Sequence, residues 1–370
     1  MHLFNLDLHV AVIADVRSIL EGLGHQVTSW GISGHEWVFG RRPARVDVVN
    51  QATWRGLDRR MCDAFYERYA RELDRYDAFV VTHTPSFAML YERWGKPILV
   101  VASTRYECPF TGDRARWEAL DDFLRRRIDD GLVVPLANNR YDAAYAEYFT
   151  GRPWRVIPSL CEYAGARWTG RRPELLSTSL WRGAPPAPGV VDRREVFAPS
   201  LLQRALGKLP GVLRTGPSWQ DLADFRGIVC VPYNASVMSL FEQYTAGVPH
   251  FMPSHPFLTE LHRRHHRDGV MSQLSYAQYE GLPPGSVVPA DGRDPNRWDD
   301  TDVMMDWARL SDFYDPETMP HVVQFDSFEH LRHLLETTNL EAVSRRMLAH
   351  AATRRAAVVA AWRDVLSRLG

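Results

Sequence analysis

The stretch from Ile228 to Glu260 carries polar residues in an order that suits the binding of a diphosphate. An apolar run ending at Val231 predicts a strand, a polar turn follows, and a helical pattern then runs to a stop at Gly247. The first N–H groups of a helix lack partners within the helix and lie at the positive end of its dipole, which favours anions. A carboxylate one turn further on can accept hydrogen bonds from ribose hydroxyls. The residues of this pattern are Tyr233, Asn234, Ser236, Ser239 and Glu242.

Two residues near the start of the chain could transfer a proton. Asp7 and His9 follow the first predicted strand. In an open α/β sheet, ligands bind at the carboxyl ends of the strands, and a spacing of two in an extended loop orients both side chains the same way. A carboxylate or an imidazole at this edge could accept the proton of a reacting hydroxyl. The alternative is that Asp7 caps the following helix while His9 only packs.

Further candidates follow other predicted strands of the same half. The segment Ser33-Gly-His-Glu-Trp37 combines glycine freedom with a histidine, a carboxylate and an indole. We predict that His35 takes part in the chemistry and that Trp37 stacks on a bound ring, the alternative being an ordinary structured loop. Three more residues reach the same edge and could contact a second substrate or serve the structure alone: His83, Arg105 and Arg140.

No metal site is predicted. The basic run His262-Arg-Arg-His-His-Arg267 is interpreted as a solvated helix face, because a ligand set needs a spacing of three or four with a carboxylate in view. Asp300-Thr301-Asp302 has the spacing of a metal-binding carboxylate pair but lies in a polar stretch that predicts a loop. The cysteines are interpreted as reduced, mostly buried thiols. They are Cys62, Cys108, Cys161 and Cys230.

The elements that would position these residues alternate between strand and helix. Such alternation predicts parallel, doubly wound sheets. The predicted strands of the first half are His2–Leu6, Gln26–Trp30, Val46–Val49, Ala78–Thr82, Pro97–Ala102, Val133–Ala137 and Arg155–Pro158. The texture then changes to Gly, Pro, Arg and Ser, which indicates a linker. The second half is predicted to begin with a strand over Val196–Ala198 and a helix over Leu201–Leu206, and to end with a long terminal helix or helix pair.

Length and composition limit the classes of protein that this chain could represent. At 370 residues, it exceeds the roughly 250–300 residues at which a single core stops growing, so we expect two domains. The 44 Lys and Arg residues nearly balance the 45 Asp and Glu residues, which argues against a general attraction to nucleic acid or anionic lipid. The N-terminus lacks the features of a signal peptide and no apolar run is long enough to span a membrane, so we expect a cytoplasmic protein.

The signature Tyr233-Asn-x-Ser-x-Met-Ser-Leu-Phe-Glu242, followed by Ala-Gly-Val-Pro249 and set behind a proline-rich crossover, resembles glycosyltransferases of the GT-B fold. The resemblance implies two Rossmann-like domains that face each other across a cleft. The corresponding bounds are residues 1–163 for the acceptor-binding domain, 164–192 for the linker, 193–345 for the donor-binding domain, and 346–370 for a helix that crosses back to the first domain.

The resemblance also implies residue roles. Glu242 would hold the donor ribose, Tyr233, Asn234, Ser236 and Ser239 would meet the diphosphate, and the region of Arg214 would approach the nucleobase. The co-substrate would be a nucleotide sugar, with no cofactor and no metal. The acceptor could be a glycan, a small molecule or a modified DNA base. The basic pair that many relatives place near the diphosphate is missing here, since only Arg204 and Lys208 are candidates.

Three other functions remain open at this point. One is a phage-type DNA glycosyltransferase acting on a hydroxylated base, against which the near-zero net charge argues. Another is a nucleotide-sugar epimerase, which would turn over the donor without an acceptor. The third is a non-catalytic binder of sugar nucleotides, which would gain support if Asp7 and His9 were inaccessible.

Overall fold

The protein forms two compact units. The computed structural model describes residues 1–40, 42, 44–104, 106–110, 113–178, 218–266, 270–271, 295 and 300–369. Among these residues, the first unit contains Met1–Tyr163 and the chain from Arg354 onward, and the second contains Ala164–Gln278 and Pro295–Thr353. Each unit has its own parallel β-sheet.

The first unit is built on a six-stranded parallel sheet in the order β2-β1-β3-β4-β5-β6. Its strands are β1 (His2–Asp7), β2 (Gln26–Gly31), β3 (Ala78–Val81), β4 (Ile98–Ala102), β5 (Val133–Ala137) and β6 (Arg155–Val156). Every residue of β3 and β4 is buried, as expected for the central strands of a parallel sheet that is covered on both faces.

Four α-helices connect these strands: α1 (Val10–Gly22), α2 (Arg59–Leu73), α3 (Arg114–Asp129) and α4 (Arg140–Thr150). Short 3₁₀ helices lie at Glu36–Phe39, Trp54–Gly56, Pro85–Trp94 and Glu162–Ala164. The side chains of Asp58, Asp113 and Asn139 each accept a hydrogen bond from a backbone N–H in the first turn of the helix that follows. These caps fix where the helices begin.

The second unit contains a four-stranded parallel sheet in the order β10-β9-β8-β7. The strands are β7 (Arg172–Thr178), β8 (Phe225–Cys230), β9 (His250–Pro253) and β10 (Val323–Phe325). The helices are α5 (Trp219–Ala223), α6 (Met238–Thr245), α7 (His255–His265), α8 (Thr301–Ala308) and α9 (Phe328–Thr337), with a 3₁₀ helix at Asp312–Tyr314. The terminal helix, α10 (Leu340–Ser367), is a single helix of 28 residues. Two parallel α/β sheets, as predicted from the alternation of elements, are thus confirmed.

The structure corrects three local expectations. Val46–Val49 is not a strand, because side chains rather than a neighbouring strand bond its backbone: the Asn50 amide donates to the Val46 carbonyl (3.2 Å) and the Thr53 hydroxyl to the Val48 carbonyl (2.8 Å). The predicted linker contains a strand, β7, which pairs with β8. Asp300 caps α8 through the N–H groups of Asp302 and Val303, so this triplet begins a helix.

The strand and helix predicted at Val196–Ala198 and Leu201–Leu206 lie outside the described residues. Met347 and Trp362, on either half of α10, are buried as core residues of the two units, with exposures of 0% and 1%. The 3₁₀ helix over Pro85–Trp94 lies between β3 and β4.

Candidate functional site

Strand order in the first unit creates a point where a ligand can bind. The chain passes from β1 to β2 on one side of β1, and then returns to β3 on the other side. Where strand order reverses in this way, the loops after the two strands diverge and leave a crevice at their carboxyl ends. The loop after β1 carries Asp7 and His9, and the loop after β3 carries His83. The topology therefore brings these three residues together.

Asp7 ties the two loops to each other. Its side chain is 0% exposed, and its carboxylate accepts hydrogen bonds from the N–H groups of Leu8 (2.7 Å), Thr82 (2.9 Å), His83 (2.9 Å) and Thr84 (3.2 Å). Burial raises the pKa of this carboxyl, while the four N–H groups act in the opposite direction. With no exposed surface and both oxygens bonded to backbone N–H groups, this carboxylate is not positioned to accept a proton from a substrate. The structure thus corrects the expectation that Asp7 is a catalytic base, and it does not cap α1 either, since the cap position is His9.

The rings of His9 and His83 lie against each other at this end of the sheet. Their centroids are 5.1 Å apart and their planes differ by 31°. The Nδ1 atom of His83 lies 3.1 Å from the Thr84 hydroxyl and 4.0 Å from Oδ1 of Asp7. Burial lowers the pKa of His83 to about 4. The pKa of His9 is lowered by loss of water around the ring and by the neighbouring His83.

His9 remains exposed to solvent, so we expect its pKa to fall less than that of the half-buried His83. Both rings are neutral at pH 7, and a neutral imidazole nitrogen can accept a proton. Apart from its own backbone, the His9 ring has no hydrogen-bond partner among the described residues. It is therefore the side chain of this edge that is best placed to meet a ligand.

The segment after β2 contributes to the same edge. His35 is exposed, and it adds a small contribution to the lowering of the His9 pKa, after burial and His83. Trp37 is 62% exposed and thus free to contact a ligand. Glu36, between them, is 7% exposed, and no described residue hydrogen-bonds either of its carboxylate oxygens.

Arginines after β4 and β5 were also predicted at this edge. Arg140 is exposed and begins α4, while Asn139 before it is buried and caps that helix. Asn139 thus has a structural role, and Arg140 keeps a position compatible with ligand contact. Arg105 lies outside the described residues.

In the second unit, the predicted phosphate-binding pattern folds as a strand, a loop and a helix. The loop from Pro232 to Val237 joins the carboxyl end of β8 to the first residue of α6. Tyr233 and Asn234 are half-buried, and the Asn234 side chain accepts a hydrogen bond from the N–H of Ala235 at 2.7 Å. Burial raises the pKa of the Tyr233 phenol, with a smaller contribution from Cys230, so this hydroxyl stays protonated and can donate.

Ser236 is oriented by a residue that the sequence did not point to. Its hydroxyl donates a hydrogen bond of 2.6 Å to Oδ2 of Asp312, which is buried. A hydroxyl has one proton to give, so in this geometry Ser236 cannot also donate to a phosphate. The donors that remain are the loop's backbone N–H groups other than that of Ala235, the Tyr233 hydroxyl and the half-buried Ser239, which is the second residue of α6.

Glu242 is half-buried and lies one turn into α6. The helix then ends at a glycine that its surroundings require. Gly247 has a φ of +79°, and a Cβ there would lie 2.7 Å from Cγ of Leu348 and 3.0 Å from the Ser344 hydroxyl. Close packing of this turn on α10 thus holds the C-terminal end of the helix that carries Glu242. Arg214, predicted near a nucleobase, lies outside the described residues.

The sequence placed Glu36 in a candidate segment without giving it a role of its own, and it did not point to Asp312. A role for Glu36 could have been predicted, since it is the one carboxylate in the segment from Ser33 to Trp37. Its burial depends on the packing of the segment against Gly31, which no local pattern reveals. Asp312 is 76 positions from Ser236 and had no signal.

Two further observations concern the described part of the chain. It contains no group of three or more His, Cys, Asp or Glu residues arranged to hold a metal ion. No helix within it combines the length and apolar character that crossing a membrane would require.

No protein-family model and no curated protein matches the chain. Solved structures match along its length at low identity. The glycosyltransferase SnogD from Streptomyces nogalater is 15% identical, with 100% of this chain and 99% of that chain covered and a TM-score of 0.44. The spinosyn forosaminyltransferase SpnP is 12% identical, with 99% of each chain covered and a TM-score of 0.44. The glycosyltransferase SsfS6 from Streptomyces sp. SF2575, solved with thymidine diphosphate, is 14% identical, with 98% and 99% covered and a TM-score of 0.44.

Proposed function

We propose that this protein is a glycosyltransferase of the GT-B type, which transfers a sugar from a nucleotide-sugar donor to an acceptor hydroxyl. The observation that carries the proposal is the arrangement after β8: a polar loop, the N-terminus of α6, and Glu242 one turn into the helix. Loop and helix N–H groups suit the diphosphate, and the carboxylate suits two vicinal ribose hydroxyls.

The protein's own hydrogen-bond donors would assist departure of the diphosphate from the donor sugar. Hydrogen bonds from the N–H groups at the start of α6, and from Tyr233, would stabilise the negative charge that builds up on the diphosphate as its bond to the anomeric carbon breaks. Ser236 would act indirectly, because its proton is held by Asp312 and the pair fixes the shape of the loop. We propose that no metal or other cofactor is needed.

On the acceptor side, His9 would accept the proton of the attacking hydroxyl as the new glycosidic bond forms. Its lowered pKa keeps the ring unprotonated at neutral pH. His83 packs against this ring and would hold its orientation, and Asp7 would hold His83 through the backbone. His35, Trp37 and Arg140 would contact the acceptor, which is a glycan, a small molecule or a modified DNA base.

A thermal-shift screen tests the donor half of the proposal. UDP, TDP, GDP and their sugar conjugates are added to the full-length protein, and a ligand that binds only the folded state raises the melting temperature. At a ligand concentration of 100 times Kd the stabilisation is about 2.7 kcal/mol. We expect one nucleobase to be preferred clearly over the others.

Glu242→Ala identifies the site. Loss of hydrogen bonds to a charged group costs about 1.5–3 kcal/mol, which corresponds to a Kd about 10- to 150-fold weaker. The matched control is Glu336→Ala, which removes an exposed carboxylate from α9 of the same unit and leaves binding unchanged. Equal nucleotide affinity in the Glu242 variant and the wild type would show that this loop and helix do not form the donor site.

A further inference from the structure

Glu36 is a buried carboxylate at the start of the 3₁₀ helix that follows β2. The residue is 7% exposed, and neither Oε1 nor Oε2 has a hydrogen-bond partner among the described residues. A buried acid in a folded protein is ordinarily paired or hydrogen-bonded, since removing it from water is costly. The absence of a partner therefore points to a group that arrives with a ligand.

The position of this carboxylate connects it with the first unit's crevice. It lies over Gly31, the last residue of β2, so closely that a Cβ on residue 31 would be 2.2 Å from Oε1. Gly31 is the register partner of Asp7 on β1, and the N–H of Ile32 donates to the Asp7 carbonyl at 3.0 Å. The missing side chain of Gly31 thus creates the space that Glu36 occupies, one strand away from the loop that carries His9.

The surface around Glu36 is apolar and exposed. Glu36 begins the 3₁₀ helix that continues with Trp37, which is 62% exposed, and Val38, which is 41% exposed. Gly34 and Gly40 flank this helix with φ values of +77° and +64°, in the left-handed region that favours glycine. An indole and a valine beside a carboxylate suit a ligand that has an apolar face and a hydrogen-bond donor.

We propose that Glu36 determines acceptor specificity by accepting a hydrogen bond from a protonated amine or a hydroxyl on an otherwise apolar acceptor. To make this contact, the side chain would turn from its buried position over Gly31 toward the exposed side of the 3₁₀ helix, and the apolar face of the acceptor would cover Trp37. This assignment rests on the proposed function, because it supplies the chemical class of the acceptor. Glu36 binds the acceptor and takes no proton from the reacting hydroxyl.

Three probes that share a benzene ring test this role: phenethylamine, 2-phenylethanol and ethylbenzene. They differ only in the group at the end of a two-carbon arm, and their affinities for the full-length protein are measured by ligand-observed NMR titration. We expect the wild type to bind the amine or the alcohol at least tenfold more tightly than the hydrocarbon, because a charge-assisted hydrogen bond adds that much. A preference for the amine alone assigns cationic acceptors, and a preference for both assigns hydroxylated acceptors.

Variants separate recognition from folding. Glu36→Gln removes the charge but keeps an oxygen that accepts a hydrogen bond, so the preference should shrink several-fold. The variant should melt at the same or a higher temperature, since the carboxylate has no hydrogen-bond partner among the described residues. Trp37→Ala should weaken all three probes alike. Glu67→Gln, an exposed acid on α2 of the same unit, is the control and should change nothing.

The proposal is overturned if the wild type binds none of the probes or binds all three equally, or if Glu36→Gln keeps the preference. It is also overturned if Glu36→Gln melts well below the wild type, because the carboxylate would then stabilise the fold. Nucleotide binding in the thermal-shift screen is the independent readout. If nucleotides bind while the probes fail, only the role of Glu36 is wrong, whereas failure of the nucleotides removes the proposed function itself.

Discussion

Replacement of Asp7 by Ala tests whether this residue is a structural anchor or a base. The substitution leaves four backbone N–H groups without their acceptor, those of Leu8, Thr82, His83 and Thr84. An unsatisfied buried donor costs about 1–3 kcal/mol. Because the four share one acceptor, and because water can enter the space and a buried charge is removed, we expect a loss near the low end of the sum, about 4 kcal/mol.

The assay is urea unfolding at pH 7 together with hydrogen exchange of the amides in the loop after β3. Exchange at Thr82, His83 and Thr84 should accelerate in Asp7→Ala, because their acceptor is gone. Asp58→Ala is the matched control in the same unit. It removes a helix cap that accepts from one N–H, that of Met61, and should cost about 0.5–2 kcal/mol.

If Asp7 acted only as a catalytic base, its replacement would change neither the stability of the protein nor the protection of these amides. If Asp7→Ala were as stable as the wild type and the loop amides kept their protection, the structural role would be refuted. The catalytic role originally expected of Asp7 would then regain support.

Three other outcomes follow from the same structure. Gly247→Ala should lower the free energy of unfolding, measured with urea, by about 1–3 kcal/mol or more, because the left-handed backbone and the contact with Leu348 both exclude a Cβ. Gly131 also has a positive φ but has open space around it, so Gly131→Ala should lose less stability. Equal losses in the two variants would contradict the role given to packing at Gly247. Burial raises the pKa of Asp15 from 3.8 to about 6, so its charged form destabilises the fold above pH 6 by about 3 kcal/mol. Relative to Asp15→Asn, the wild type should gain stability as the pH falls from 7 to 4; a constant difference in free energy of unfolding across this range would disprove the shift. Gly31→Ala should displace the flexible end of Glu36 at little cost in melting temperature, and a large loss would mean that the backbone, not the carboxylate, fills that space.

The sequence predicted the strands well where both faces are apolar. β4 and β5 begin and end within a residue of their predicted bounds, because a short, wholly apolar run between polar turns has few alternatives. Val46–Val49 is also largely apolar, although it contains the exposed Asp47, and it is not a strand. The side chains of Asn50 and Thr53 donate hydrogen bonds to backbone carbonyls of this segment. Such side-chain bonds compete with strand pairing, and the apolar content of a segment does not predict them.

The sequence predicted which residues lie near one another in the site better than it predicted what each of them does. His9, His83 and His35 each follow a predicted strand, and the carboxyl ends of parallel strands meet at one edge of the sheet, which is why they were expected there. Which side chain faces solvent there depends on hydrogen bonds from distant backbone, as with Asp7 and the loop 75 to 77 residues later. Ser236 shows the same limit, since its partner Asp312 belongs to a distant part of the chain.

The claim of sugar transfer is tested most directly by product formation. The nucleotide sugar chosen by the thermal-shift screen is supplied with a radiolabelled sugar, together with a mixture of hydroxylated and amine-bearing aromatic acceptors. We predict that the label enters a covalent product in step with release of nucleoside diphosphate, that both depend on the acceptors, and that His9→Ala loses transfer while it still binds nucleotide. Release of diphosphate without acceptors, conversion of the sugar alone, or full transfer by His9→Ala would contradict this account.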